Sequence, residues 1–128
     1  LLQEKIVASA SSKLIIIADE SKYVKCLGNF PLPVEVIIFG WKQAQRHIQK
    51  LSCEKILLRM KNDIPFITDH GHYILDCYFQ EIKDAAMLNN ALHQIPGVVE
   101  TGLFINMATT AVIGFADNHI ETISAKKE

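Results

Sequence analysis

Leu14-Ile15-Ile16-Ile17-Ala18-Asp19-Glu20-Ser21-Lys22 decides how the chain is read. Five apolar residues run without a break, and four polar residues follow at once. A short, β-branched apolar run suits a strand buried on both faces, as in a parallel sheet, and is too short to argue for a helix. The polar residues then stand at the carboxyl end of that strand. In open α/β sheets this edge is where ligands bind. Asp19, Ser21 and Lys22 are therefore candidate site residues from position alone. The competing reading is a polar turn that only ends the strand.

Working outward, Leu1 to Ala10 reads as a helix with Ile6, Val7 and Ala10 on one face. No Ser, Thr, Asp or Asn precedes Leu1 as a cap, so a start upstream of Leu1 is expected. Glu4 and Lys5 lie in its first turn, where a solvated Glu–Lys pair is the ordinary reading. Ser11-Ser12 breaks the helix before the strand. On the other side, Ser21 to Leu27 reads as a short helical turn ended by Gly28. Phe30-Pro31-Leu32-Pro33 follows. Two prolines in three residues force an extended path, read here as a connection between two structural units.

From Val34 the pattern changes to an alternating plan. Val34–Phe39 reads as a strand and Trp41–Leu51 as a helix with Ala44, Ile48 and Leu51 at helical spacing. Lys55–Lys61 is a strand ended by Asn62-Asp63. Thr68-Asp69-His70-Gly71-His72 is a turn leading into the strand Tyr73–Phe79. Asp84–Ile95 is a helix with Ala85, Leu88, Leu92 and Ile95 inward, stopped by Pro96-Gly97. Val98–Phe104 is the next strand. The order β-α-β-β-α-β is the split, ferredoxin-like plan. Ala111–Phe115 and Ile120–Ser124 then form a hairpin around Ala116-Asp117-Asn118-His119. Lys126-Lys127-Glu128 reads as a frayed charged end.

Composition narrows the function. The chain has 128 residues, 49% of them apolar, enough for a packed core and too many for a disordered segment. Thirteen basic against fourteen acidic residues leave a net charge of −1, which argues against electrostatic capture of nucleic acid. No apolar run approaches the roughly 20 residues that span a bilayer. Cys26, Cys53 and Cys77 are odd in number and form no CxxC pair; they read as reduced thiols serving as small core residues in the cytosol. His47, His70, His72, His93 and His119 form no HxxxH helix pair and join no cysteine pair, so they read as exposed turn and helix histidines rather than metal ligands. Neither GxGxxG nor GxxxxGK is present. Trp41, next to Gly40, reads as a packing residue, and Asp69 and Asp76 need not converge.

Glu4, Asp19 and Lys22 remain. A carboxylate on the helix before the strand and an ammonium just beyond it suit proton abstraction next to the carbonyl of a phosphorylated substrate. Several collinear stretches then resemble one known family. They are Leu2-Gln3-Glu4-Lys5-Ile6, Ile17-Ala18-Asp19-Glu20-Ser21-Lys22, Leu27-Gly28-Asn29-Phe30-Pro31-Leu32-Pro33-Val34-Glu35-Val36 and Ile95-Pro96-Gly97-Val98-Val99. Thr68-Asp69-His70-Gly71-His72-Tyr73-Ile74-Leu75-Asp76 and Gly102-Leu103-Phe104 support them. Together they resemble ribose-5-phosphate isomerase, type A, from end to end of the chain.

The resemblance implies an α/β fold: part of a Rossmann-like parallel-sheet domain with an inserted ferredoxin-like α+β domain. Residues 1–30 and 105–128 are expected to belong to the Rossmann-like catalytic part, and residues 31–104 to the small domain. It implies interconversion of ribose 5-phosphate and ribulose 5-phosphate through an enediolate, without metal or cofactor, by a cytoplasmic homodimer that binds neither nucleic acid nor membrane. The family's proton-shuttling glutamate falls on Glu4, and a substrate-contacting lysine on Lys22. The family's phosphate loop, its Asp-Gly-Ala-Asp motif and its Lys-Gly-Gly-Gly stretch would lie upstream of Leu1. The chain is therefore expected to be the carboxyl-terminal portion of such an enzyme and to be nearly inactive by itself. The alternative is a sugar-phosphate-sensing domain of related fold that does no chemistry; a glutamate kept in its motif favours the enzyme. A free ferredoxin-like module would not need the Leu14–Ala18 strand or the terminal hairpin.

Overall fold

The structure, a computed structural model, describes residues 1–125; the charged end Lys126-Lys127-Glu128, read above as frayed, lies outside the described residues. In chain order the elements are α1 (Leu2–Ala10), β1 (Ile15–Asp19), a 3-10 turn (Glu20–Lys22), β2 (Leu32–Val36), α2 (Trp41–Gln49) and β3 (Lys55–Leu58). Then come β4 (Met60–Lys61), β5 (Ile64–Pro65), β6 (Tyr73–Tyr78), α3 (Ala85–His93), β7 (Val98–Thr101), β8 (Thr110–Gly114) and β9 (Ile120–Ser124). They fall into two compact units. Cys26–Leu103 with Leu1–Leu2 form one, central in sequence; Gln3–Lys25 and the chain from Phe104 onward form the other, the flanking unit.

The central unit is built on a four-stranded sheet of order β3-β6-β2-β7, antiparallel at every pairing. Helix α2 carries the chain from β2 to β3 across β6, and α3 carries it from β6 to β7 across β2. Two interlocked crossovers of this kind make a ferredoxin-like fold. Val34, Val36, Ile48, Leu75 and Leu92 are completely buried in it. Each such side chain contributes about 1.5–3 kcal/mol of burial free energy. Ala44 and Ile48, one helical turn apart, are the buried face of α2. The Asp84 carboxylate accepts from the Met87 N–H at 3.0 Å and caps α3, so the helix begins one residue later than the sequence pattern suggests.

The expected strands over 34–39 and 98–104 end early, at Val36 and Thr101, and two further readings of this unit change. First, β2 begins at Leu32 and takes in Pro33, so the proline pair is not only a connection. The Pro33 carbonyl accepts from the Gly102 N–H at 2.8 Å and so faces β7. The missing N–H faces the same way, where the ladder to β7 starts only at Val34. Gly102 is required for that approach, because a Cβ there would meet the Pro33 ring at 2.8 Å. Second, the strand expected over 55–61 ends at Leu58, and Met60–Lys61 pairs with Ile64–Pro65 in a separate small hairpin. Asn62 and Asp63 both have positive φ, 52° and 64°, the backbone of a tight two-residue hairpin turn.

The flanking unit holds a three-stranded sheet of order β1-β8-β9, with β1 parallel to β8 and β9 antiparallel to it. The entry to β1 is clamped by Thr109. Its N–H and hydroxyl donate to the Leu14 carbonyl at 2.8 and 2.9 Å, and the Leu14 N–H returns a bond to the hydroxyl at 3.1 Å. β1 forms where the apolar run predicts, and it is separate from the central sheet. It is not buried on both faces, however: Ile15 is 55% exposed, Ile16 40% and Ile17 81%. β1 is an edge strand. Helix α1 buries Ala8 and leaves Ile6 and Val7 exposed, in place of the expected Ile6, Val7, Ala10 face.

Candidate functional site

The carboxyl ends of β1 and β8 lie side by side, because the two strands are parallel and Asp19 pairs in register with Gly114. Beside this edge is a hollow of about 540 Å³, walled by Ile17, Val112, Phe115 and Ile120, with Asp19 and Ser21 among its lining residues. The position is the one at which open α/β sheets hold ligands. Asp19 closes β1 and opens the next turn. Its carboxylate accepts from the Ser21 N–H at 2.8 Å and from the Ser21 hydroxyl. These bonds satisfy donors that the start of the turn leaves without partners. The Ser21 hydroxyl, the Ser21 N–H and, to a lesser extent, the Lys22 ammonium hold the Asp19 carboxyl below the ordinary aspartate range. The turn closes as the Tyr23 N–H donates to the Glu20 carbonyl at 3.1 Å. The Glu20 carboxylate accepts from the Ala116 N–H at 3.4 Å, tying the turn to the β8–β9 connection.

Lys22 is the last residue of this turn and is exposed. Glu4 stands in the first turn of α1, also exposed, in the same unit. The fold thus holds Asp19, Ser21 and Lys22 in one capped turn and puts Glu4 on the preceding helix. Next to Glu4, the Lys5 ammonium lies 4.9 Å from the centre of the Phe104 ring. Across the hairpin, His119 stacks on Phe115 with ring centres 4.2 Å apart and bonds to the Asp117 carboxylate, which holds the Asp117 carboxyl below its usual range.

The histidines and cysteines are more occupied than their sequence positions suggest. His72 is not simply an exposed turn residue: its Nδ1 lies 2.6 Å from the carboxylate of Glu35, which is buried on β2. Thr68 donates to the same carboxylate at 3.3 Å, so the Thr68–His72 turn is pinned to the sheet. His93 bridges the Asn89 carbonyl and the Glu100 carboxylate, both at 2.9 Å. Asp76 is taken by Arg59 in a two-pronged pair at 2.6 and 3.1 Å. Cys53 and Cys77 are buried core thiols, whereas Cys26, expected in the core, is exposed. Hydrogen bonding to Cys53 and burial push the Cys77 thiol far above its usual range. Among the described residues no three His, Cys, Asp or Glu side chains converge on a metal-sized site. A second hollow, of about 390 Å³, lies in the central unit between Leu51, Phe79, Ile82, Met87 and Leu88, and contains none of the candidate residues.

Comparison with known proteins adds to this geometry. Residues 1–118 match the family model of ribose 5-phosphate isomerase A, phosphoriboisomerase A. The chain belongs to this family. It is 57% identical over 115 residues to a ribose-5-phosphate isomerase A of Bacillus mycoides, covering 89% of this chain and 52% of that protein. It is 50% identical over 127 residues to a Ruegeria pomeroyi ribose-5-phosphate isomerase A, covering 94% of this chain and 48% of that protein. The fold matches a ribose 5-phosphate isomerase from Plasmodium falciparum with a TM-score of 0.93 at 36% identity, over 99% of this chain and 57% of the other. It also matches a D-ribose-5-phosphate isomerase in complex with phospho-erythronic acid, with a TM-score of 0.90 at 32% identity, over 97% of this chain and 55% of the other. The chain spans about half the length of the relatives it matches.

Proposed function

We propose that residues 1–128 are part of an isomerase that interconverts ribose 5-phosphate and ribulose 5-phosphate through an enediolate, without metal or cofactor. The observation that carries the reading is the family match over residues 1–118, which takes in both Glu4 and Lys22. The phosphorylated acid held by one solved neighbour supports a sugar phosphate as the ligand. In the aldose-to-ketose direction, the Glu4 carboxylate takes the proton from C2. The C–H electron pair forms the C1–C2 double bond, and negative charge develops on the carbonyl oxygen. Glu4 then returns its proton to C1 while the C2 hydroxyl passes its own to the negative O1 oxygen, leaving a ketone at C2 and a hydroxyl at C1. Lys22 holds the substrate and offsets the developing charge. A carboxylate becomes a stronger base as a closing site strips its water.

In this reading residues 1–30 and 105–128 belong to a Rossmann-like catalytic domain, and residues 31–104 are its inserted small domain. The exposed Ile15, Ile16 and Ile17 fit a sheet that other parts of the intact enzyme cover. A homodimer and a cytoplasmic location complete the proposal and rest on the family resemblance. The isomerases named above lend no support to the sensor alternative. The test is a steady-state isomerase assay of the 128-residue chain and of the same chain joined to the remaining segment of its Bacillus mycoides relative. Turnover by the joined protein and little by the short chain is the expected result. A joined, folded protein that binds ribose 5-phosphate but does not turn it over restores the sensor.

A further inference from the structure

We propose that Asp19 is a positioning residue: by capping the Glu20–Lys22 turn it sets where the Lys22 ammonium meets the sugar phosphate. The inference rests on the reading of Lys22 as substrate-binding. A lysine head group is a compact charge on a flexible stem, so its placement depends on how firmly the backbone beneath it is held. Here that backbone is a three-residue 3-10 turn, too short to be stable by its own bonds. Asp19 supplies what the turn lacks. It is the last paired residue of β1, in register with Gly114, so its backbone is part of the sheet. Its carboxylate accepts from both the N–H and the hydroxyl of Ser21, the residue immediately before Lys22. The Ala116 N–H fixes the other side of the turn through Glu20. Both bonds to Ser21 are accepted by one carboxylate oxygen, Oδ1, so this oxygen is committed to the turn that carries Lys22, and the aspartate acts on the ligand through that turn.

The experiment is a double-mutant cycle in the intact isomerase with ribose 5-phosphate as substrate. Lys22→Ala should raise KM and lower kcat. Asp19→Ala should raise KM about threefold to thirtyfold, the range spanned by loss of a helix cap, and lower kcat in the same direction as Lys22→Ala. Asp19→Asn keeps an oxygen acceptor and should recover most of the loss. Asp19→Ala placed on Lys22→Ala should add almost nothing, because its effect is carried by the lysine. A purely structural role would add in full on that background. Additive effects, or an Asn variant as poor as the Ala variant, overturn the proposal. So does an unchanged KM in Asp19→Ala when Lys22→Ala raises it, and that result leaves the reading of Lys22 intact. An unchanged KM in Lys22→Ala overturns both. Should Asp19→Ala fail to fold, Ser21→Ala takes its place: it deletes one of the two cap bonds and should show a smaller rise that likewise vanishes beside Lys22→Ala.

Discussion

The central and flanking units reach their folds with unequal means. The central unit closes its own core: Val34, Val36, Ile48, Leu75 and Leu92 are wholly buried, and an acid on β2 is matched by a histidine and a threonine. The flanking unit buries only Ala8 and Ile113 among its described apolar residues, and β1 presents three isoleucines to solvent. Yet the flanking unit carries every residue that the proposed chemistry uses. The difference teaches that an apolar run such as Leu14–Ala18 states a demand for burial, and the demand is met only where other elements supply the cover. Mutations in the central unit should therefore read out as stability, and those at the Glu4 and Lys22 positions as activity.

The largest expected effect tests the second half of that contrast. Glu4→Gln keeps the side-chain shape and removes the base. In the intact enzyme, turnover should fall about 10²- to 10⁴-fold with KM little changed, the usual loss for one proton-transfer group. Steady-state kinetics in both directions measure it. Because Glu4 is exposed in α1, the unfolding midpoint should stay where it is. Near-native turnover would remove Glu4 from the mechanism.

The first half of the contrast is tested by Leu75→Ala. Leu75 is fully buried on β6, an interior strand of the central sheet. The change should cost about 2–5 kcal/mol. Trp41 is the chain's single tryptophan and packs edge-on against Tyr73, ring centres 5.9 Å apart, within the central unit. Urea unfolding followed by its fluorescence reports this unit specifically. A midpoint shift worth less than 1 kcal/mol would mean the central core is looser than its burial indicates.

How far the sequence carried these conclusions follows the same division. Helical and strand periodicities place β2, α2, β3, β6, α3 and β7 in the right order, because a self-contained core imposes its alternation on nearby residues. Failures in this unit come from residues with two meanings. Pro33 reads as a break but sits where a strand needs no N–H, and Asn62-Asp63 reads as a strand end but turns a hairpin. Glu35, between two valines, carries no local signal of its burial, because its partners His72 and Thr68 are more than thirty residues away in sequence. In the flanking unit, position alone marks Asp19, Ser21 and Lys22, because polar residues crowd the end of an apolar run. The Asp19 cap was legible only as a polar cluster, and nothing but the family resemblance singles out Glu4.

A smaller effect concerns acid. The carboxyls of Asp19 and Asp117 are both held below the usual aspartate value of 3.8, by Ser21 and His119 respectively. A carboxyl with a lowered folded pKa stabilises the fold above its unfolded pKa and loses that contribution as pH falls through the folded value. The flanking unit should thus be insensitive to pH from 7 to about 5 through these groups and weaken below about pH 4. Comparing the native chain with the Asp19→Asn, Asp117→Asn double variant checks it. The stability gap between them should be constant above pH 5 and shrink in acid; a gap that widens on acidification has the wrong sign.

The smallest effect is expected at the residue that looks most like core in the sequence. Ile17 lies in the middle of the apolar run, and in this chain it is 81% exposed. A side chain already in water has little burial free energy to lose, so Ile17→Ser should change the stability of the 128-residue chain by no more than about 0.5 kcal/mol. The same exchange at Ile113, which is 2% exposed on the adjacent strand β8, removes a buried aliphatic group and should cost several times as much. Both variants are compared by urea unfolding followed by far-ultraviolet circular dichroism, which sums over both units, and by Trp41 fluorescence, which separates the share of the central unit. If Ile17→Ser is as costly as Ile113→Ser in the chain alone, the open face of β1 is covered in solution, by a second copy or by the chain itself, and the contrast between the two units is smaller than the exposed isoleucines imply. If Ile17→Ser is neutral in the short chain but destabilises the intact isomerase, the cover comes from the part of the enzyme outside residues 1–128, as the half-length match to the relatives leads one to expect.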